Sequence, residues 1–504
     1  MENMLYSLYF CLFLQEVRKI VAKKYMDKIT NYYKLFGIDD SDIKKLLDKA
    51  LSKGGDYADI FFEHSISNNL LLQDGEVNSI GSHIDYGVGI RVVAKEKTGY
   101  AYSEKTNLKD MLVAANNAAQ IASDNSNILS APSSINILNK GEDKVNNFYP
   151  IYSPWETHSV SEKIEYVKEL GDLILSKDEK VIKAIVRLSD SNTKVLFFNS
   201  LGECFYDERP MASLIATCIM ADQGHTENYT ASKSFRQGFE FISHDMIQEL
   251  AQTAVEGCKF LFTAKQPTGG EMPVVMSSGS SGILLHEAIG HSFEADFNRK
   301  KTSIFSDKFG TQICMKGINI VDDATIPYNR GSINFDDEGI RGQKTYMVRD
   351  GVLTSYLHDR ISANFYNVKP TGNGRRESFR YAPLPRMRAT YMENGTAHEE
   401  DLIKDIKQGI YVDSFSNGQV QIGAGDFTFF VKTGYMIENG KLTQPIKDAN
   451  IIGNGPQALA DITAVANNSY VDNGTWTCGK GQYVPVSCGM PSVSIKKLIV
   501  GGIN

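Results

Sequence analysis

Two imidazoles and a carboxylate stand close together near the middle of the chain, in the mostly apolar stretch from Ser280 to Asp296: His286-Glu287-Ala288-Ile289-Gly290-His291. These are the residue types that a hydrolytic zinc site needs. The imidazoles hold the ion, and the neighbouring glutamate takes a proton from the water that the ion polarises. The spacing is His-Glu-x-x-x-His, one residue longer than the usual zinc-protease pattern. On a regular α-helix, residues five apart lie about 140° apart around the axis, whereas residues four apart differ by about 40°. Both histidines therefore reach one metal only where the helix is locally over-wide or breaks between them. Gly290 is the expected place, because π-bulges and glycine kinks do this. The competing reading is a buried apolar helix with two incidental histidines.

Two histidines leave a zinc short of a protein ligand if one position is kept for water. Glu294 and Asp296 are the carboxylates just downstream, and neither is spaced to complete the set. The candidate is Cys478 in Asn473-Gly474-Thr475-Trp476-Thr477-Cys478-Gly479-Lys480-Gly481-Gln482, where a cysteine stands among glycines near the end of the chain. A thiolate is a strong zinc ligand, and Lys480 and the metal are both expected to lower its pKa. Cys488 is the rival in the same stretch, with an inert buried thiol as the alternative for either. His358 and Glu338 are further alternatives.

With these residues in hand, the chain resembles the TldD/PmbA (modulator of DNA gyrase) peptidase family, and its TldD branch in particular. The resemblance rests on His286-Glu287-Ala288-Ile289-Gly290-His291 with Glu294, Asp296-Phe297-Asn298-Arg299 and Thr302-Ser303. It continues through Asp336-Asp337-Glu338-Gly339, Pro370-Thr371-Gly372-Asn373-Gly374-Arg375-Arg376-Glu377-Ser378, Pro385-Arg386-Met387 and Cys478-Gly479-Lys480. It extends from about Asp56 to the C-terminus. The resemblance implies a zinc metallopeptidase with one Zn2+ per catalytic subunit, His286, His291 and Cys478 as ligands, and Glu287 as the base. It also implies an α/β N-terminal domain, a β-rich catalytic C-terminal domain, and a dimer enclosing the active site. The partner is a second copy or a TldE/PmbA-like chain that lacks the motif. The implied substrates are unfolded peptides, admitted where folded proteins are excluded.

The elements that must position these residues read as α+β. The chain has 504 residues, 42% apolar and 22% charged, with a net charge of −7. That length calls for more than one core. The acidic balance and the lack of a dense basic run exclude a nucleic-acid footprint. Seven cysteines, odd in number and scattered, fit reduced thiols in a cytoplasm better than a disulfide framework. Residues 1–40 read as an N-terminal extension, 41–265 as the α/β domain and 266–504 as the β-rich, barrel-like domain that carries the histidine helix as a plug or lid. In the first domain, helices are expected at Ser41–Leu51, Leu108–Ser123, Val160–Ser176 and His244–Lys259. Strands are expected around Asp56–His64, Asn69–Gln73, Glu76–His83, Gly87–Val93 and Gly99–Ser103, with Asp74-Gly75 as a hairpin turn. Val181–Leu188 and Lys194–Asn199 are expected as strands around a turn at Ser189–Thr193. Asp124–Pro154 is expected to be a long surface loop. The second domain should begin with a strand at Met272–Met276 after the turn-rich Gln266–Gly270, followed by short strands with frequent glycines.

Met4–Leu14 is nearly all apolar but too short to span a bilayer, and it lacks a basic run before it. An amphipathic leader, or a start at Met26, is favoured over a signal peptide, so a cytoplasmic location is expected with export left open. Two alternatives compete with the peptidase: a non-enzymatic regulatory partner subunit, and a metal-dependent hydrolase of another amide. Glu287 beside His286 argues against the first, since a structural zinc needs no base. Thr371–Arg376 reads as a structural loop more than a phosphate site. Arg375 and Arg376 are left to pair with Asp336, Asp337 or Glu338, or to anchor a peptide carboxylate.

Overall fold

The computed structural model describes residues 28–123, 129–139 and 147–502. The apolar leader and Met26 lie outside the described residues. Strand alternation in the first half does not stop where polar residues take over. Tyr57–Gln73 and Glu76–Ala94 are each one long strand, where shorter pieces were expected. They are joined at Asp74-Gly75, whose φ values of 55° and 78° are the left-handed pair that a two-residue hairpin requires. Val181–Asn199 also runs unbroken, which corrects the turn expected at Ser189–Thr193. The reason is polar pairing across the sheet. The polar run lies opposite Ser65–Asn69, and side chains bond between strands at Ser65–Thr193 (2.8 Å), Asn68–Asp190 (2.8 Å) and Ser189–Asn69 (2.7 Å). With its polar groups matched, the segment has no cause to leave the ladder.

These strands belong to a seven-stranded sheet in the order Lys97–Ser103, Glu76–Ala94, Tyr57–Gln73, Val181–Asn199 and Glu203–Asp222, with His225–Phe235 and Asn136–Ile137 both pairing the last. Asn136–Ile137, within the stretch expected to be loop, is the parallel member. The helix at 28–36 and those at Asp40–Leu51 and Leu108–Ile121 bury Ile29, Phe36, Leu46 and Met111 against Ile60, Phe62 and Ile90. Val160–Ser176 and His244–Thr263 pack farther along, against Leu70, Val186 and Leu214. Alternation then turns Phe61, Val195, Phe197 and Phe205 the opposite way, onto Phe335 and Phe379 of the C-terminal half.

The C-terminal half is β-rich, as expected, and contains a closed five-stranded barrel. Gln408–Gln421, Gly270–Met276, Val493–Gly501, Ala449–Asn454 and Asp426–Glu438 pair in that order, and the last pairs back with the first. Beside it lies a six-stranded sheet that includes Ile320–Asp323, Ala389–Met392 and Ser487–Met490. A separate two-stranded hairpin, Thr477–Gly479 with Tyr483–Pro485, turns at Gly481 (φ 66°).

Candidate metal centre

The histidine helix runs through three windings. Ile283–Leu285 is α-helical, His286–Gly290 forms a π turn, and His291–Phe293 is a 3-10 turn. The His291 N–H donates to the His286 carbonyl, five residues back, which is the hydrogen bond that defines the wider turn. This is the over-wide segment that the five-residue spacing demands. Its apolar side chains, Leu284, Leu285, Ala288, Ile289 and Phe293, are buried in the same cluster as the barrel residues Val274, Ile410, Phe429 and Val493. Gly290 is a close approach: a Cβ there would sit 2.2 Å from Met387 Sδ.

The turn leaves the two imidazoles edge to face, with ring centroids 5.1 Å apart. The hairpin brings Cys478 to them, 187 residues downstream of His291, with Sγ 3.3 Å from His291 Nε2. Ligand atoms of His286, His291 and Cys478 all lie within 4.8 Å of one another, and all three residues are buried. Burial alone would push the Cys478 thiol up. The His286 and His291 imidazoles outweigh it and bring the thiol down to about 4. Burial opposes charge on His291 as well, yet Glu294 and Cys478 raise its pKa well above the ordinary histidine value. A thiolate beside two imidazoles is a soft, compact donor set that fits zinc. The buried Nδ1 of His286 has no hydrogen-bond partner among the described residues, so this imidazole is not committed elsewhere.

A charged frame holds these groups. Glu294 Oε2 lies 3.1 Å from His291 Nδ1 and 3.0 Å from Lys480 Nζ, and Lys480 reaches Asp296 at 2.7 Å. Burial pushes the Glu294 carboxyl up, but Lys480, His291 and Arg386 bring it down to about 2. Fully buried Arg386 donates to the carbonyls of Cys478 (2.8 Å) and Gln482 (3.0 Å), and its Nε is 3.8 Å from Glu294. Lys480 thus acts on Glu294 and Asp296, and the imidazoles rather than this ammonium lower the thiol, which corrects the expectation for Lys480. In the sequence Arg386 stands only as a motif residue, and Glu294 as a motif residue not spaced to complete the ligand set. Their signal was a carboxylate three residues past a candidate ligand histidine and an arginine between a proline and a methionine, neither of which specifies a partner.

The other candidates lie elsewhere. Cys488 is on the strand Ser487–Met490, outside the cluster, and burial raises its thiol well above the ordinary range. His358 packs between Tyr356 and Tyr366, and burial lowers it to about 4. Glu338 is fully buried and paired with Arg91 at 2.6 Å. Glu287 is half-buried, and its carboxylate makes no hydrogen bond or ion pair among the described residues. Thr371–Arg376 is structural: Gly374–Arg375 pairs with Leu384–Pro385. Arg376 donates its main-chain N–H to Asp337 (2.9 Å) and lies 3.4 Å from Asp59.

Comparison with known proteins places this geometry in context. The PmbA/TldA metallopeptidase domain 1 model matches residues 58–122, the central-domain model matches 153–257, and the C-terminal-domain model matches 269–502. A metalloprotease TldD homolog of Haemophilus influenzae is 38% identical over 455 residues, 89% of this chain and 93% of that protein. A zinc metalloprotease TldD homolog of Saccharolobus solfataricus is 28% identical over 462 residues, 91% of this chain and 99% of its own. Among solved structures, TldE from Thermococcus kodakarensis has the same fold, with a TM-score of 0.70 at 18% identity, covering 92% of this chain and 100% of that one.

Proposed function

This chain belongs to the PmbA/TldD metallopeptidase family, and on that premise we propose that it is a zinc-dependent peptidase of unfolded peptides, with Glu287 as its base. The observation that carries the reading is the meeting of two imidazoles and a thiolate beside a carboxylate that no described residue engages. His286, His291 and Cys478 would hold one Zn2+ per chain and leave a position open. When bound, zinc supplies a Lewis acid for the peptide carbonyl and makes water a better nucleophile near neutral pH. Glu287 takes the proton of the attacking water and returns it to the leaving amine nitrogen. Glu294 fixes the His291 ring from its far side, and Arg386 and Lys480 tie that carboxylate to the hairpin that bears Cys478.

Unfolded substrate is favoured because an extended strand can dock through main-chain bonds with little side-chain selectivity. We place the boundary between the α/β and β-rich domains at the turn-rich run beginning at Gln266, just before the first barrel strand, Gly270–Met276. The working unit is taken to be a dimer with a second copy or with a TldE/PmbA-like chain. A reducing cytoplasm is favoured by the scattered cysteines, which are unpaired among the described residues. No helix among the described residues is long and apolar enough to cross a membrane.

Glu287→Gln decides the assignment of the base. It should retain zinc, measured by metal analysis of the purified protein, and lose at least ~100-fold in cleavage of a random-coil peptide pool. Retained turnover with zinc in place would remove Glu287 from the mechanism.

A further inference from the structure

On the other side of the Cys478 hairpin lies a cavity of about 260 Å³ between the N-terminal sheet and the C-terminal half. That is slightly smaller than the roughly 300–1,000 Å³ of drug-sized pockets, so only a small, compact occupant fits. Arg236, Arg330, Arg375 and Arg388 line it, each buried, and none forms an ion pair with a described carboxylate. Two other lining arginines differ in this respect: Arg209 is paired with Asp207 and Asp337, and Arg376 with Asp59.

Among the described residues the four unpaired guanidiniums find only neutral partners. Arg330 donates to the Trp476 carbonyl (3.0 Å) and the Ser234 hydroxyl (2.6 Å). Arg375 donates to the carbonyls of Met387 (2.5 Å) and Pro485 (2.7 Å), and Arg388 Nε donates to that of Gly372 (2.7 Å). Arg388 Nη2 and Arg236 Nε are buried without a hydrogen-bond partner among the described residues. Burial, then the positive neighbours, push Arg236 and Arg330 down to about 10. Buried charge is ordinarily paired, and guanidinium forks match the oxygens of carboxylate and phosphate. Glu63, Asp337 and Glu377 also line the cavity, but Asp337 is paired with Arg209, and Glu63 and Glu377 accept from the main-chain N–H groups of Phe379 and Tyr483. Six guanidiniums therefore face three engaged carboxylates, and an anion placed in the void relieves the excess.

We propose that this cavity is a binding site for a small polyvalent oxyanion of the diphosphate or polycarboxylate class. Several unpaired guanidiniums call for more than the single charge of a peptide carboxylate. Because Arg330 and Arg375 also hold the carbonyls of Trp476 and Pro485, an occupant that fixes them stiffens the hairpin on which Cys478 sits. The site is separate from the catalytic reading, and its occupancy is measured without turnover.

The test is titration calorimetry of the full zinc-loaded chain with inorganic pyrophosphate and, separately, with tricarballylate, which distinguishes the two sources of charge. One saturable site per chain is expected for at least one probe. Affinity should fall at least tenfold in Arg236→Gln and Arg330→Gln, be largely kept in Arg236→Lys, and be unchanged in Arg187→Gln, at an exposed position. If either glutamine variant fails to fold, hydrogen exchange on the unsubstituted chain serves instead: pyrophosphate should slow exchange across residues 476–486. No saturable binding, or no such protection, overturns the proposal. So does binding lost in Cys478→Ser yet kept in Arg236→Gln, which would place the anion on the metal. An acetylated tripeptide acid that binds as tightly as either probe would overturn the polyvalent assignment.

Discussion

On one face of the Cys478 hairpin, Glu294, Lys480, Asp296 and Arg386 alternate in charge, and each touches an opposite partner. On the other face, Arg236, Arg330, Arg375 and Arg388 surround a cavity, and no carboxylate among the described residues is paired to any of them. Thr477 looks into that cavity while Cys478 faces the imidazoles, as neighbours on a strand must. The contrast separates two uses of buried charge. A closed network positions groups and asks for nothing more from outside, whereas an open one is complete only with a ligand. The proposed metal ligands sit on the closed side, so their environment is fixed before any ion arrives.

The contrast breaks most sharply at the thiol. Cys478→Ser replaces a thiolate held near pKa 4 with a hydroxyl that stays neutral, and it should abolish zinc retention and peptide cleavage together. Metal analysis and a cleavage assay check it. If Cys488→Ser has this effect instead, the wrong thiol has been assigned. Glu294→Gln tests the frame rather than the donor. It keeps the shape but removes the charge that fixes His291, and zinc affinity should drop about 10–100-fold, measured by competition with a chelator. A variant that binds zinc as tightly as the natural chain would show that the closed network is packing alone. The π turn comes next. Gly290→Ala pushes a methyl onto Met387 Sδ and should cost about 1–3 kcal/mol in denaturant unfolding, with zinc affinity falling as the turn shifts.

Much of the site was legible because its constraint is local. His286 and His291 lie five apart on one apolar helix, which forces a wide turn on any chain that uses both, and Gly290 marks where the wall comes close. Cys478 stood out as a thiol among glycines. The frame was not legible, since Arg386 and Glu294 meet through a fold whose closing contacts join residues about ninety positions apart. The arginine cavity draws on four separate stretches; of its four arginines the sequence singles out only Arg375, as a partner for Asp336, Asp337, Glu338 or a peptide carboxylate, and nothing local joins it to the other three. In the fold, the sheet was legible where apolar alternation was clean and misread where Ser189–Thr193 looked like a turn. Only the opposing Ser65–Asn69 explains why that polar run stays extended, and no local pattern records its neighbour across the ladder.

The smallest effect sharpens the comparison most finely, because it counts protons. Without metal, the thiol near 4 is already ionised at neutral pH, while His291, raised by Glu294 and the thiolate, carries a proton. Zinc must displace that proton to gain the His291 nitrogen. Between pH 7 and 8, then, zinc uptake should release about one proton per ion from His291, and none from Cys478. The sign follows from the raised pKa: lowering pH keeps His291 protonated and weakens zinc binding, about tenfold per pH unit over this window. Calorimetry in buffers of different ionisation heat measures the count directly. A count near two would mean that a second proton also leaves, and a count that stays near two at pH 6, where water polarised by zinc keeps its proton, would trace it to a thiol that the imidazoles do not hold ionised. In Glu294→Gln the count should fall below one, because His291 loses the carboxylate that keeps its proton on.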